Sequence, residues 1–162
     1  MSRLVATLFG VGHLRPAPGT WGSLAALPLF WVLHVLGGVA LVVHATIAVT
    51  VIGWWAVAQA TYGTADPDKS EFVIDEVAGM WVALWPVSIG ATLARADILA
   101  LYPGWIAAFL CFRLFDIVKP GPIGWADRRK TPLGVMLDDI FAGIAAATVV
   151  LILAFLWHKF LM

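Results

Sequence analysis

Val39-Ala-Leu-Val-Val-His-Ala-Thr-Ile-Ala-Val-Thr-Val-Ile-Gly-Trp-Trp-Ala-Val-Ala-Gln-Ala-Thr-Tyr62 contains no acid, lysine or arginine. As a helix rising about 1.5 Å per residue, it can cross a hydrocarbon core roughly 30 Å thick. It is apolar on every side, so lipid or other helices must surround it. Four further apolar runs flank it. Trp21 to Leu36, interrupted by Pro28, ends at Gly37-Gly38. It is either a tilted short span or one arm of a re-entrant hairpin. A third run starts within Phe72-Val-Ile-Asp-Glu76 and continues to Leu93, a fourth covers Ile98 to about Ile117, and a fifth covers about Leu137 to Leu161. Ser2 to Gly12 is expected to add a short surface helix.

The whole chain agrees with these runs. Of its 162 residues, 62% are hydrophobic and 12% are charged, against about 45–50% and about 25% in soluble domains. The excess apolar surface must face lipid. The expected fold is an all-α, polytopic membrane bundle of about five or six helices, forming one domain over residues 1–162. The formal net charge is zero, which argues against nucleic acid, whose backbone needs a basic surface. Cys111, the one cysteine, is read as a packing residue.

With the first run counted as a span, the bases divide unevenly. Arg3, Arg15, Lys69, Arg113, Lys119, Arg128, Arg129 and Lys130 fall on one side, and Arg95 and Lys159 on the other. The positive-inside rule makes the first side cytoplasmic. Asp66, Asp68, Glu71, Asp75, Glu76, Asp116, Asp127, Asp138 and Asp139 share that side, while Asp97 stands alone opposite. Acids contribute little to orientation, so topology does not explain them. They point to a polar site at the cytoplasmic mouth of the bundle. Trp21, Trp81, Trp105, Trp125 and Trp157 are expected near helix ends at the membrane interface.

Four segments carry the candidate chemistry. Gly10 to Ser23 is glycine-rich but lacks the lysine of a Walker loop. Thr20, Ser23 and nearby backbone N–H groups either bind an anion at a helix start or cap a turn. Asp75 and Glu76 lie together where the third span begins. Adjacent acids at membrane depth are costly unless they hold cations or pair with bases. Arg113 and Asp116 share a helix face three residues apart, and Lys119 follows just before Pro120. The two bases suit a phosphate, as a planar fork and a point charge, or form ion pairs within their own helix. Asp138 and Asp139 are expected to open the last span. Asp139-Ile-Phe-Ala-Gly143 echoes Asp75-Glu-Val-Ala-Gly79. Helices packed through Gly79 and Gly143 would bring Asp75, Glu76, Asp138 and Asp139 together. Oxygen-only ligands select a hard cation such as Mg²⁺. Arg128, Arg129 and Lys130 serve the positive-inside signal or attract anionic headgroups. Among the histidines only His13, in the glycine-rich loop, is a candidate; His34, His44 and His158 read as interfacial.

These blocks resemble the phosphatidylglycerophosphatase A family. The resemblance covers nearly the whole chain. It rests on Ala17-Pro-Gly-Thr-Trp-Gly-Ser23, Ile74-Asp-Glu-Val-Ala-Gly-Met80, Phe112-Arg-Leu-Phe-Asp-Ile-Val-Lys-Pro-Gly-Pro-Ile123, Asp127-Arg-Arg129 and Gly134-Val-Met-Leu-Asp-Asp-Ile140 with Ala142-Gly143. Lys130-Thr-Pro-Leu-Gly134 departs from it where a more glycine-rich loop is expected. The resemblance implies a bacterial inner-membrane enzyme, its site facing the cytoplasm, that removes the phosphate of phosphatidylglycerophosphate with Mg²⁺. On that basis Asp75, Glu76, Asp138 and Asp139 are expected to hold the metal. Thr20, Ser23, Arg113, Lys119 and Arg128 are expected to bind the phosphate, and Asp116, Asp139 and Lys119 to take part in catalysis. Asp116 either orients Arg113 or acts as a general base, and the nucleophile is either water or a carboxylate.

Other phosphatase chemistries fit less well. Asp66-Pro-Asp68 follows no strand-like run. Cys111 has Ile117 where a cysteine phosphatase needs arginine, and the histidines lack a lipid-phosphate-phosphatase spacing. The spaced aspartates of a CDP-alcohol transferase are missing. Three readings stay open beside the family's: a small cation transporter or channel, a phosphatase for another lipid phosphate, and a silent lipid-binding homologue. A transport path would need polar groups at mid-depth, where the spans carry no charge.

Overall fold

The computed structural model describes residues 1–64 and 69–160. Asp66, Asp68 and Leu161 lie outside the described residues, among which there is no strand. The helices are α1 (Ser2–Ala6), α2 (Pro18–Ala60), α3 (Ile74–Ala94), α4 (Tyr102–Val118), α5 (Pro122–Asp127) and α6 (Pro132–Phe160). Short 3₁₀ turns cover Val11–His13 and Ile98–Leu101. The second turn leads into α4, and together they make an apolar segment, Ile98–Val118, long enough to cross a membrane.

At 43 residues, α2 is roughly twice the length of one crossing. It breaks at Gly37 and Gly38, the latter at φ 58°, ψ −152°, a region that glycine alone adopts readily. Contacts with α3 give the direction of each arm. In the first arm, Gly22 lies against Val73 and Glu76. Further along, the Ala26 carbonyl accepts from Trp81 Nε1 at 2.9 Å, and His34 Nδ1 is 2.7 Å from Ser88 Oγ. Residue numbers rise together, so this arm runs parallel to α3. In the second arm, Trp85 Nε1 donates to Thr46 Oγ1 at 3.2 Å, while Gly53 lies beside Ile74. This arm runs antiparallel. The two arms are therefore a full helical hairpin along α3. Pro28 lies inside the helix without stopping it, as membrane helices tolerate. With α3, α4 and α6, five segments are long and apolar enough to cross a membrane.

Central to the bundle is α3, buried at every residue from Ile74 to Leu84. Phe30, Met80, Leu84 and Phe112 form the fully buried centre around it. Large apolar side chains such as Val35, Val51, Leu110 and Leu151 project outward, as a lipid-facing surface requires. Trp81 is not interfacial as expected. It is buried at mid-helix because the Ala26 carbonyl satisfies its indole N–H.

Helices α3 and α6 cross through glycines. A Cβ on Gly79 would come within 2.5 Å of the Asp139 carbonyl oxygen, and one on Gly143 would strike the Gly79 carbonyl. Only hydrogen fits at both positions, which is why the two acidic segments can sit side by side. The last helix starts earlier than its apolar run suggests. Thr131 Oγ1 accepts from Gly134 N at 3.0 Å, an N-cap, and Pro132 takes the first helical position. Asp138 and Asp139 thus lie in the second turn of α6 rather than opening it. At the other end of the chain, Val73 N donates to the Ala6 carbonyl at 2.9 Å, tying α1 to the entry of α3.

Candidate active site

A cavity of about 370 Å³ opens at the ends of α2, α3, α4 and α6 that carry the acids. Asp75, Glu76, Asp116, Asp138 and Asp139 line it, with Lys69, Arg113 and Lys119 as the bases. Each acid arrives on helical backbone: Asp75 and Glu76 from the first turn of α3, Asp116 from the last turn of α4, Asp138 and Asp139 from α6. Rigid elements of this kind hold a constellation more precisely than loops.

Arg113 organises one half. Its Nη1 lies 2.5 Å from Glu76 Oε2 and 2.9 Å from Asp116 Oδ2. Ser23, fully buried in the first arm of α2, stands 2.8 Å from Glu76 Oε2 and 2.9 Å from the Gly19 carbonyl. Its single proton serves one of them at a time. A side chain at Gly19 would occupy the place of Glu76 Oε1. The guanidinium Nε is buried and finds no partner among the described residues, leaving one donor of the fork uncommitted.

Lys119 organises the other half. It ends α4 in a left-handed conformation, φ 48°, ψ 53°, before Pro120. Its Nζ lies 2.5 Å from Asp127 Oδ1 and 2.7 Å from Asp138 Oδ2, so one ammonium links α4, α5 and α6. Burial acts to lower its pKa, but hydrogen bonds to Asp127 and Asp138 outweigh that and hold it above the usual lysine value. Burial likewise acts to raise Asp127, and Lys119 overrides it, keeping that carboxyl below its usual range. Lys119 therefore stays cationic at physiological pH.

Five acids face three bases in the cavity. Glu76 and Asp116 share Arg113, and Asp138 shares Lys119 with Asp127. Asp75 and Asp139, both buried, have no ion pair among the described residues. Buried charge left unpaired is costly, so the chemistry of this donor set fits a bound cation. Carboxylate oxygens of Glu76, Asp116 and Asp139 all lie within 4.8 Å of one another, close to the ~4.2 Å across an Mg²⁺ octahedron. Asp75 Oδ1 and Asp138 Oδ1 instead accept backbone N–H bonds from Glu76 and Asp139, at 3.0 and 3.1 Å.

Of the residues expected from sequence, Asp75, Glu76, Arg113, Asp116, Lys119, Asp138 and Asp139 converge on one cavity. The tightest acid group differs from the expected metal set: Asp116 joins Glu76 and Asp139, while Asp138 is engaged by Lys119. Ser23 lies behind Glu76, and neither Ser23, Thr20 nor Arg128 lines the cavity. Arg128 and His13 are exposed. Arg129 packs over the Trp125 ring at 3.9 Å. Sequence reading did not single out Asp127 as the partner of Lys119, nor Lys69 as a lining residue. Lys119 and Asp127 are eight residues apart, but α4 ends before Pro120 and α5 starts at Pro122, so no helical spacing rule pairs them.

A family model described as Phosphatidylglycerophosphatase A matches residues 4–154. A phosphatidylglycerophosphatase A of Haemophilus influenzae is 38% identical over 149 residues, covering 91% of this chain and 85% of that protein. One of Escherichia coli is 34% identical over 158 residues, covering 95% and 84%. A Bacteroides thetaiotaomicron protein named provisionally as a phosphatidylinositol-3-phosphatase is 37% identical, covering 87% and 86%. No solved structure matches.

Proposed function

The chain belongs to the phosphatidylglycerophosphatase A family, a family of phosphoric monoester hydrolases, and from that premise we propose that it hydrolyses phosphatidylglycerophosphate to phosphatidylglycerol and phosphate. The reaction takes place at the cytoplasmic face of the bacterial inner membrane and depends on Mg²⁺. The observation that carries this reading is the convergence of Glu76, Asp116 and Asp139 beside the Arg113 fork, in a cavity within an apolar bundle.

Glu76, Asp116 and Asp139 would hold Mg²⁺, with Asp75 and Asp138 adjacent. The ion, when bound, supplies positive charge against the phosphoryl oxygens. Arg113, which lines the cavity, offers its guanidinium to the phosphate, and Asp116 orients it from 2.9 Å. Lys119 neutralises charge on the phosphoryl group or its leaving oxygen without giving up a proton. Asp75 and Asp139 lack a competing ion pair among the described residues, which leaves their oxygens available for a ligand or an attacking water. Ser23 supports Glu76 from behind. Bases gathered at the cavity end of the bundle support the cytoplasmic orientation. The cavity chemistry suits any lipid phosphate monoester, and the name of the Bacteroides relative makes an inositol lipid the rival to test.

The test is phosphate release by purified protein in detergent micelles, with Mg²⁺ or EDTA, alongside Asp139→Asn. Phosphatidylglycerophosphate and phosphatidylinositol 3-phosphate are offered separately. Mg²⁺-dependent release from the first, lost in Asp139→Asn, is the expected result. Release from the inositol lipid alone would overturn the substrate, and no release from either would overturn the reaction.

A further inference from the structure

Ile117 lines the cavity, yet it is 71% exposed on the outer side of α4. The other large apolar lining residues, Phe72 and Val135, are buried, and Lys69 and Ser70 belong to the connecting loop. The boundary between the acid cavity and the lipid-facing surface therefore runs through Ile117. Along α4, Ile106, Leu110, Arg113 and Ile117 follow at spacings of four, three and four, which puts them on one helical stripe. Leu110 and Ile106 are both more than half exposed, while Ala108 and Phe112 on the inward side are fully buried. The phosphate fork thus sits in the middle of a stripe that is otherwise apolar and outward-facing. Helix α4 and the first arm of α2 both flank α3 but scarcely pack on each other. They meet where Arg113 Nη1 lies 3.4 Å from Ser23 Oγ, and again at the edge-to-face pair Phe30–Trp105, 5.7 Å apart.

We propose that the lipid phosphate enters the cavity sideways across Ile117, with its acyl chains lying along the α4 stripe of Leu110 and Ile106. The proposal rests on the lipid-phosphatase reading and adds the path of the tails. Two features favour this occupant. One is continuity: a phosphate at Arg113 leaves its glycerol within reach of the residues one turn away on the same stripe. The other is chemistry: the path ends at Arg113 and Lys119, whose N–H donors suit a phosphate once a cation has neutralised the excess cavity acids, whereas a neutral head has no such partner. A competing apolar recess of about 230 Å³ lies among Thr46, Val82, Trp85, Ile140 and Ile144. No acid or base lines it.

The test reads position independently of turnover. Wild-type and Asp139→Asn protein in phosphatidylcholine vesicles is photolysed with trace phosphatidic acid carrying a diazirine in one acyl chain. The matching diacylglycerol serves as the control for ordinary lipid contact. Labelling of residues 106–118 by the phosphate-bearing probe about 5-fold above the neutral probe is expected, the worth of a modest charge-assisted contact with the phosphate that only this probe carries. Equal labelling by both probes, or enrichment at Ile140 and Ile144, would overturn the path. In kinetics, Leu110→Gln should raise KM for the long-chain lipid about 5-fold relative to a dihexanoyl substrate, and an equal effect on both would also overturn it. Enriched labelling without phosphate release from any lipid would sink the phosphatase reading and leave the path as a lipid-phosphate binding route.

Discussion

Arg113 shares one nitrogen between Glu76 and Asp116 while its Nε stays unpaired among the described residues. A lysine there would keep the charge but lose the planar fork, so it could not satisfy two acids and a phosphate in fixed directions. Arg113→Lys is expected to lower kcat for lipid phosphate release about 100-fold, the usual cost of one well-placed donor. A variant within a few-fold of wild type in steady-state assays would show that charge alone is needed. The pairing of Arg113 with Asp116 was legible in their spacing. Its bond to Glu76 was not, because 37 residues separate the two and only the packing of α4 on α3 joins them. Ser23 illustrates the same limit. It reads equally well as a cap or an anion donor, and its actual partner, Glu76, lies 53 residues away.

At the scale of elements, the decisive contact is the crossing of α3 and α6. Gly143→Leu would drive a side chain into the backbone at Gly79, which typically costs about 1–3 kcal/mol or more. It should lower the thermal unfolding temperature in detergent and abolish phosphate release by parting Glu76 from Asp139. Gly90→Ala is the matched control, since its Cβ would meet only Leu101 Cδ2 at 3.3 Å, the end of a flexible side chain. Equal behaviour of the two variants would show that close approach is not what aligns the acids. The repeated Asp-x-x-Ala-Gly spacing of the two segments made this crossing foreseeable. The start of α6 was not foreseen, because hydropathy marks where lipid begins, whereas a cap marks where the helix begins.

For the whole molecule, the excess of cavity acids over bases implies that folding and cation binding are linked. Mg²⁺ at 100 times its Kd should add about 2.7 kcal/mol of stability, seen as a rise in unfolding temperature that Asp139→Asn loses. An unchanged unfolding temperature across millimolar Mg²⁺ would sink the metal assignment. By itself the sequence determined the helical class, the number of helices to within one, the end of the bundle at which charge gathers and most residues of the cavity. Those properties follow from hydropathy, length and local spacing, which act on neighbours along the chain. Tertiary structure alone decided that the first arm runs parallel beside α3, that Asp116 rather than Asp138 joins Glu76 and Asp139, that Trp81 is internal, and that Lys119 spans Asp127 and Asp138. Each depends on which faces of different helices meet, and a helix apolar on every side carries no moment to say how it is turned.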